Sequence, residues 1–150
     1  PSDVHAILIT YLDEAREIAG FADALGVAAV QLHGEIDPGE LERLRGLRPG
    51  LATLKSLVVG RYSEADLGAQ VLRMSPYVDA FITDTFDPAT GASGATGKTH
   101  DWAVSRALVE RSPRPVILAG GLTPDNVRSA IRAVRPAGVS SRPAIEGRAA

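Results

Sequence analysis

The 150 residues contain no cysteine, which excludes disulfides, thiolate metal ligands and a cysteine nucleophile or base supplied by this chain. Histidine is scarce too: His5, His33 and His100 are too scattered for a metal cluster, so neither a metal nor another cofactor is expected. No cluster of one charge stands out either. Lys and Arg number 16 against 18 Asp and Glu, a formal net charge of −2, and a nucleic-acid partner is not expected. No apolar run approaches the roughly 18 residues that cross a membrane, and no signal-peptide pattern opens the chain, so the expectation is a cytoplasmic protein with no membrane partner. What is present, 45% hydrophobic and 23% charged residues, suffices for one globular domain with a real core over residues 1–150.

Strand and helix signals alternate along the chain. Residues 4–12 (VHAILITYL) read as a strand, and Asp13 introduces a helix with Ala15, Ile18, Ala22 and Leu25 on one face, stopped by Gly26. A strand over 27–32 ends in Gln31-Leu32-His33-Gly34, and Asp37-Pro38 offers an N-cap and first-turn proline to a helix carrying Leu41, Leu44 and Leu47. A third strand spans 51–59 and contains Lys55, whose side chain is compatible with either the sheet interior or an outward, snorkelling position. Ser63 caps a helix with Leu67, Val71 and Met74 inward. After a strand at 80–84, a helix over 101–111 directs Val104, Ala107 and Leu108 inward. A strand over 116–119 enters Gly120-Gly121, and Thr123-Pro124 caps a helix with Val127, Ala130, Ile131 and Val134 on one face. Residues 137–141 read as a last short strand, and 142–150 as a frayed polar tail in which Ile145-Glu-Gly-Arg148 also spells a common engineered protease site.

The chain is organised around residues 79–102. An apolar run ends on Asp84, a carboxylate at the C-terminal mouth of a strand, and Gly91, Gly94 and Gly97 follow before the next helix. Parallel α/β proteins place their chemistry at such mouths. A rival reading takes 92–99 as a relaxed phosphate-binding P-loop with Lys98 as its lysine. The spacer with Pro88, and a following strand that ends in glycines instead of an acid, argue against that NTPase reading.

Six such alternations, with strands apolar on both faces, predict a parallel sheet covered by helices. Periodicity leaves an open doubly wound sheet and a (βα) barrel both open. Glycine-bearing loops after successive late strands favour the barrel, where phosphate sits on the last two loops. Gly120-Gly121 permits close backbone approach to an anion, and Ser140-Ser141 adds hydroxyls; a ligand-free tight turn is the plainer alternative.

Four motifs occur in order: VQLHG from Val30, the strand-end pair Asp84-Thr85, GKTHDW from Gly97, and LAGGLTPDNV from Leu118. Together they resemble the phosphoribosylanthranilate isomerase family of tryptophan biosynthesis, whose fold is the TIM (βα)8 barrel. The resemblance covers about residues 4–141 and implies a truncated barrel of about six βα units. It further implies an Amadori rearrangement of N-(5-phosphoribosyl)anthranilate to an aminoketose, with Asp84 as general acid. Gly120, Gly121, Ser140 and Ser141 would hold the phosphate of a phosphorylated small-molecule substrate, with His33 and Gln31 in contact with it.

The chain departs from the family in three places. His100 stands where the family usually has Phe. The family's first-strand cysteine, its general base, is absent together with the first two βα units, roughly 60 residues, and the substrate-gripping arginine of the second loop. The last strand, Ala137-Gly-Val-Ser-Ser141, is short of the family pattern. These departures make a catalytically silent phosphate-binding paralogue or scaffold the alternative to an isomerase, and unpaired barrel edges imply self-association.

Overall fold

The computed structural model describes residues 5–93 and 98–141. Its elements run β1 (Ile7–Thr10), α1 (Ala15–Leu25), β2 (Ala29–Leu32), α2 (Pro38–Leu47), β3 (Ala52–Val59), α3 (Glu64–Met74), β4 (Ala80–Asp87), β5 (Ala92–Ser93), α4 (Trp102–Arg111), β6 (Val116–Leu118), α5 (Val127–Val134) and β7 (Gly138–Val139). The six strands β1-β2-β3-β4-β6-β7 pair in parallel in that order, and β5 adds to β4 antiparallel. Each parallel neighbour is the next one in the chain, joined through a helix, as in a barrel wall. Among the described residues β1 and β7 do not pair, so the wall stays open.

Register assigns each strand two faces. Val30, Leu32, Leu57, Val59, Phe81 and Val116 share one face and form the core with Ile18 of α1, Leu41 and Leu44 of α2, Leu67 and Val71 of α3, and Leu108 of α4. Leu118 continues that face into a smaller cluster with Ala130 and Val134 of α5. All five helices thus cover the same side. A doubly wound sheet would carry helices on both, so the barrel alternative holds. The opposite face carries Ile9, Gln31, Leu54, Ser56, Val58, Ile82, Asp84 and Ile117. At its β1 edge Ile7, Ile9 and Tyr11 are 47%, 61% and 67% exposed.

Local signals account for most helix ends. The Asp37 carboxylate accepts from the Gly39 N–H with Pro38 in the first turn, Ser63 Oγ accepts from Asp66 N, and Gly26 closes α1 with a left-handed φ of 64°. Several expectations are corrected. The strand expected over 4–12 is only Ile7–Thr10, and those over 27–32 and 137–141 shorten to Ala29–Leu32 and Gly138–Val139; residue 4 and the tail 142–150, with Ile145-Arg148, lie outside the described residues. Asp13 does not cap α1; its N-cap is Glu14, and Glu40 of α2 accepts from Ala15 N at 2.8 Å instead. Leu25 and Leu47 sit at helix ends and are 60% and 46% exposed, because the stripe has rotated off the sheet there. In α4 the fully buried positions are Ser105 and Leu108, with Val104 and Ala107 only half-buried. α5 starts at Val127, not Thr123: Thr123 and Asn126 exchange hydrogen bonds in a preceding turn, and Ile131 stays 43% exposed.

The largest correction concerns β4. It does not end at Asp84 but runs to Asp87, turns through Pro88–Gly91, and pairs Phe86 with Ser93 and Asp87 with Ala92. The sequence's glycine-rich loop therefore begins as a hairpin. Among the described residues no helix is long and apolar enough to cross a membrane.

Lys55 shares the helix-facing side with its register partners Leu32 and Phe81 and is only 4% exposed, its ammonium donating to the Ser56 carbonyl at 2.8 Å. Burial pushes its pKa down to about 8, against the opposing pull of Glu35. A lysine depressed in the fold costs stability below that value, and the cost fades as pH rises toward the ordinary 10.5. Lys55→Met should therefore raise the unfolding free energy from urea denaturation at pH 7, by up to about 3 kcal/mol, and with it the midpoint, the advantage shrinking toward pH 10. An unchanged or lower midpoint at pH 7 would contradict this placement.

Candidate active site

Asp84 lies near the C-terminal end of β4, half-buried on the open face beside its register partner Val58. One carboxylate oxygen accepts from the Thr85 N–H at 2.8 Å. Burial raises its pKa, and this outweighs the Thr85 hydrogen bond and the charge of His33, both of which pull it down. A carboxyl group shifted in that direction is suited to holding a proton for donation.

His33 follows β2 and is buried on the same side. Its Nε2–H donates to the Ser93 carbonyl at 2.6 Å. Nδ1 lies 3.1 Å from the Ser56 hydroxyl, and Ser56 accepts from Gln31 Nε2 at 3.1 Å. Tyr11 packs edge-on against the imidazole with centroids 4.9 Å apart. Gln31 and His33, both nominated by the sequence, are thus members of one polar chain. Ser56, buried at its centre, was not nominated, and nothing but its alternation with Lys55 would have pointed inward. A cavity of about 70 Å³ touches Tyr11, His33, Lys55, Ser56, Arg61 and Tyr62. A wider cleft of about 620 Å³ lies elsewhere, between the start of α1 and the β2–α2 connection, and holds none of the nominated residues.

Behind Asp84 the helix-facing side of β4 is polar. Thr83 Oγ1 accepts from Ala119 N at 3.2 Å, and Thr85 Oγ1 meets His100 Nδ1 at 2.9 Å. The other ring nitrogen of His100 lies 2.6 Å from Ser105 Oγ on α4. Burial pushes the His100 imidazole down to about 4 despite neighbouring Asp101, so the ring is neutral at pH 7. Gly120 and Gly121 have φ of 100° and 61°. A Cβ on Gly120 would lie 2.2 Å from Thr85 Oγ1, and one on Gly121 would lie 2.4 Å from the Lys98 carbonyl carbon. Both positions need glycine for conformation and for space. Among the described residues neither N–H has an acceptor within the chain. The Ser140 N–H bonds the Leu118 carbonyl at 2.8 Å, which seats 140–141 beside the glycine turn. The Ser141 hydroxyl donates to the Leu122 carbonyl at 3.0 Å, so its proton is already engaged.

Lys98 pairs with the buried carboxylate of Asp87 at 2.8 Å, and that hydrogen bond holds Asp87 below the usual carboxylate range. The pair ties the connection into α4 to the end of β4, unlike the reach toward phosphates that the P-loop reading requires. Residues 94–97, including Gly97 of GKTHDW, lie outside the described residues. Among the described residues no group of His, Cys, Asp and Glu could hold a metal.

Residues 13–147 match the family model described as N-(5'phosphoribosyl)anthranilate (PRA) isomerase. N-(5'-phosphoribosyl)anthranilate isomerase 2 of Methanosarcina mazei is 43% identical over 145 residues, covering 94% of this chain and 61% of that protein. Phosphoribosyl anthranilate isomerase of Thermotoga maritima superposes with a TM-score of 0.71 at 31% identity, covering 94% of this chain and 63% of that one. A further phosphoribosyl anthranilate isomerase, solved in complex with reduced 1-(o-carboxyphenylamino)-1-deoxyribulose 5-phosphate, superposes at 0.67 with 29% identity, covering 94% and 61%. The chain spans a little over three-fifths of the length of these relatives. Its parallel sheet is a truncated TIM-barrel wall, and the chain belongs to the phosphoribosylanthranilate isomerase family.

Proposed function

We propose that this chain carries the acid and phosphate-holding parts of a phosphoribosylanthranilate isomerase site, serving the Amadori rearrangement of N-(5-phosphoribosyl)anthranilate in tryptophan biosynthesis. The observation that carries the reading is Asp84: a half-buried carboxyl group, its pKa raised by burial, at the mouth of a parallel strand in a chain of this family. In this reading Asp84 protonates the ring oxygen as the aminoaldose ring opens. A base must then remove the proton from the adjacent carbon, and the cysteine that the family resemblance implies for that step is not among these 150 residues. His33 and Gln31 contact the substrate from the Ser56-centred chain. Gly120 and Gly121 offer their N–H groups to the phosphate, joined by Ser140 and Ser141. No cofactor is required, and a biosynthetic role of this kind belongs in the cytoplasm.

Three outcomes follow. Ribose 5-phosphate titrated into the isotope-labelled chain should give saturable amide shifts centred on Gly120, Gly121, Ser140 and Ser141; no response there, or a uniform one, would count against the phosphate site. The chain alone should turn over substrate very poorly, because losing one proton handler typically costs about 10²–10⁴-fold. Adding the cysteine-bearing N-terminal units of a relative in trans should restore part of the rate, and Asp84→Asn should remove what was restored. Full-enzyme turnover by the chain alone, or restored activity indifferent to Asp84→Asn, would refute the assignment. Finally, the β1 edge, with Ile7 and Ile9 exposed, should drive concentration-dependent association visible by sedimentation velocity and reduced by Ile9→Lys. A monodisperse monomer at high concentration would contradict it.

A further inference from the structure

His100 occupies a position of unusual leverage. Thr85 and Ser105 are 3% and 0% exposed, and among the described residues the imidazole is the only hydrogen-bond partner of either hydroxyl. Thr85 directly follows Asp84 on β4, whereas Ser105 belongs to the first turns of α4. The ring therefore bridges the strand of the acid and the helix behind it. The Gly120 turn rests on this bridge: a Cβ there would come within 3.1 Å of His100 Nδ1 as well as striking Thr85. Gly121 rests in the same way on the backbone of Lys98 and Thr99, the residues leading into His100. A hydrogen-bonded ring defines a spacing more narrowly than apolar contact, since both of its nitrogens are satisfied only at one depth.

We propose that His100 is a positioning residue for anion binding: by clamping Thr85 to Ser105 it sets the Gly120–Gly121 turn at a fixed height beside the strand that carries Asp84. This rests on the reading of that turn as the phosphate site. The clamp joins β4 to α4 with the Gly120 turn packed on it, so moving the ring shifts the two glycine N–H groups relative to the carboxyl group. Replacing the imidazole by a phenyl ring strands two buried hydroxyls, and removing one of those hydroxyls relieves half of that penalty.

The test uses the full chain with inorganic phosphate as the probe at pH 7, read by the Gly120 and Gly121 amides and by the ring nitrogens of His100. His100→Phe should weaken phosphate binding about tenfold, the scale expected when positioning donors are misplaced. Adding Ser105→Ala to His100→Phe should recover much of that loss. In the unaltered chain the His100 ring nitrogens should show one fixed neutral tautomer and shift along with the glycine amides. Equal affinity in His100→Phe would overturn the proposal while leaving the phosphate site standing. So would ring nitrogens that stay still while the glycine amides move, a readout that does not depend on the variant folding. Failure of the unaltered chain to show a saturable response at Gly120 and Gly121 would overturn both.

Discussion

The close packing of two glycines against the residues before α4 is the constraint on which the rest of the site depends. Gly120 and Gly121 approach Thr85, Lys98 and Thr99 more closely than any side chain permits. That contact joins β4, the β5–α4 connection and β6, and adds to the ladder pairs Phe81–Val116 and Ile82–Ile117 and to the Thr83 hydroxyl that accepts from Ala119 N. Any larger residue in the turn would push β6 and α5 away from the Asp84 strand. Among the described residues the same tight seam leaves the glycine N–H groups without acceptors, so the feature that builds the fold also presents donors at the mouth of the sheet.

The open wall explains the uneven distribution of polar groups. Five helices seal the outer face, and the core there is continuous from Ala15 to Val116. Among the described residues the inner face has no such cover. Its polar members, Gln31, Ser56, His33 and Asp84, hold one another or backbone groups in hydrogen bonds, whereas Ile7, Ile9 and Tyr11 at the β1 edge are left to solvent. Buried polar residues that satisfy each other keep a single arrangement. Among the described residues nothing pairs with the outer edge of β1, and an apolar strand edge favours pairing with another strand.

Much of this was legible in the residues. Caps at Asp37, Ser63 and Gly26 are local chemistry, readable without knowing the fold, and the parallel order follows from strictly alternating signals. The motifs around Asp84 and Gly120 carried the family. What escaped was non-local. Asp87 at the end of β4 pairs with Lys98 eleven residues on, which no run of apolar residues announces. Glu40 capping α1, and Ser56 linking Gln31 to His33, each join residues twenty-three or more positions apart. His100 stands out in the sequence only as a departure from the family's Phe, whereas its hydrogen bonds to Thr85 and Ser105 exist only in the fold. The glycine pair was read for its freedom toward an anion; its space was equally demanded by the chain packed beneath it.

The surroundings of Asp84 raise its pKa and so favour its carrying a proton. Carbon-detected titration of its carboxyl group measures this directly. The account predicts a midpoint above the ordinary 3.8, because burial outweighs both the Thr85 hydrogen bond and the charge of His33. A midpoint at or below 3.8 would show a carboxylate held ionised by its neighbours, and would contradict its assignment as the general acid.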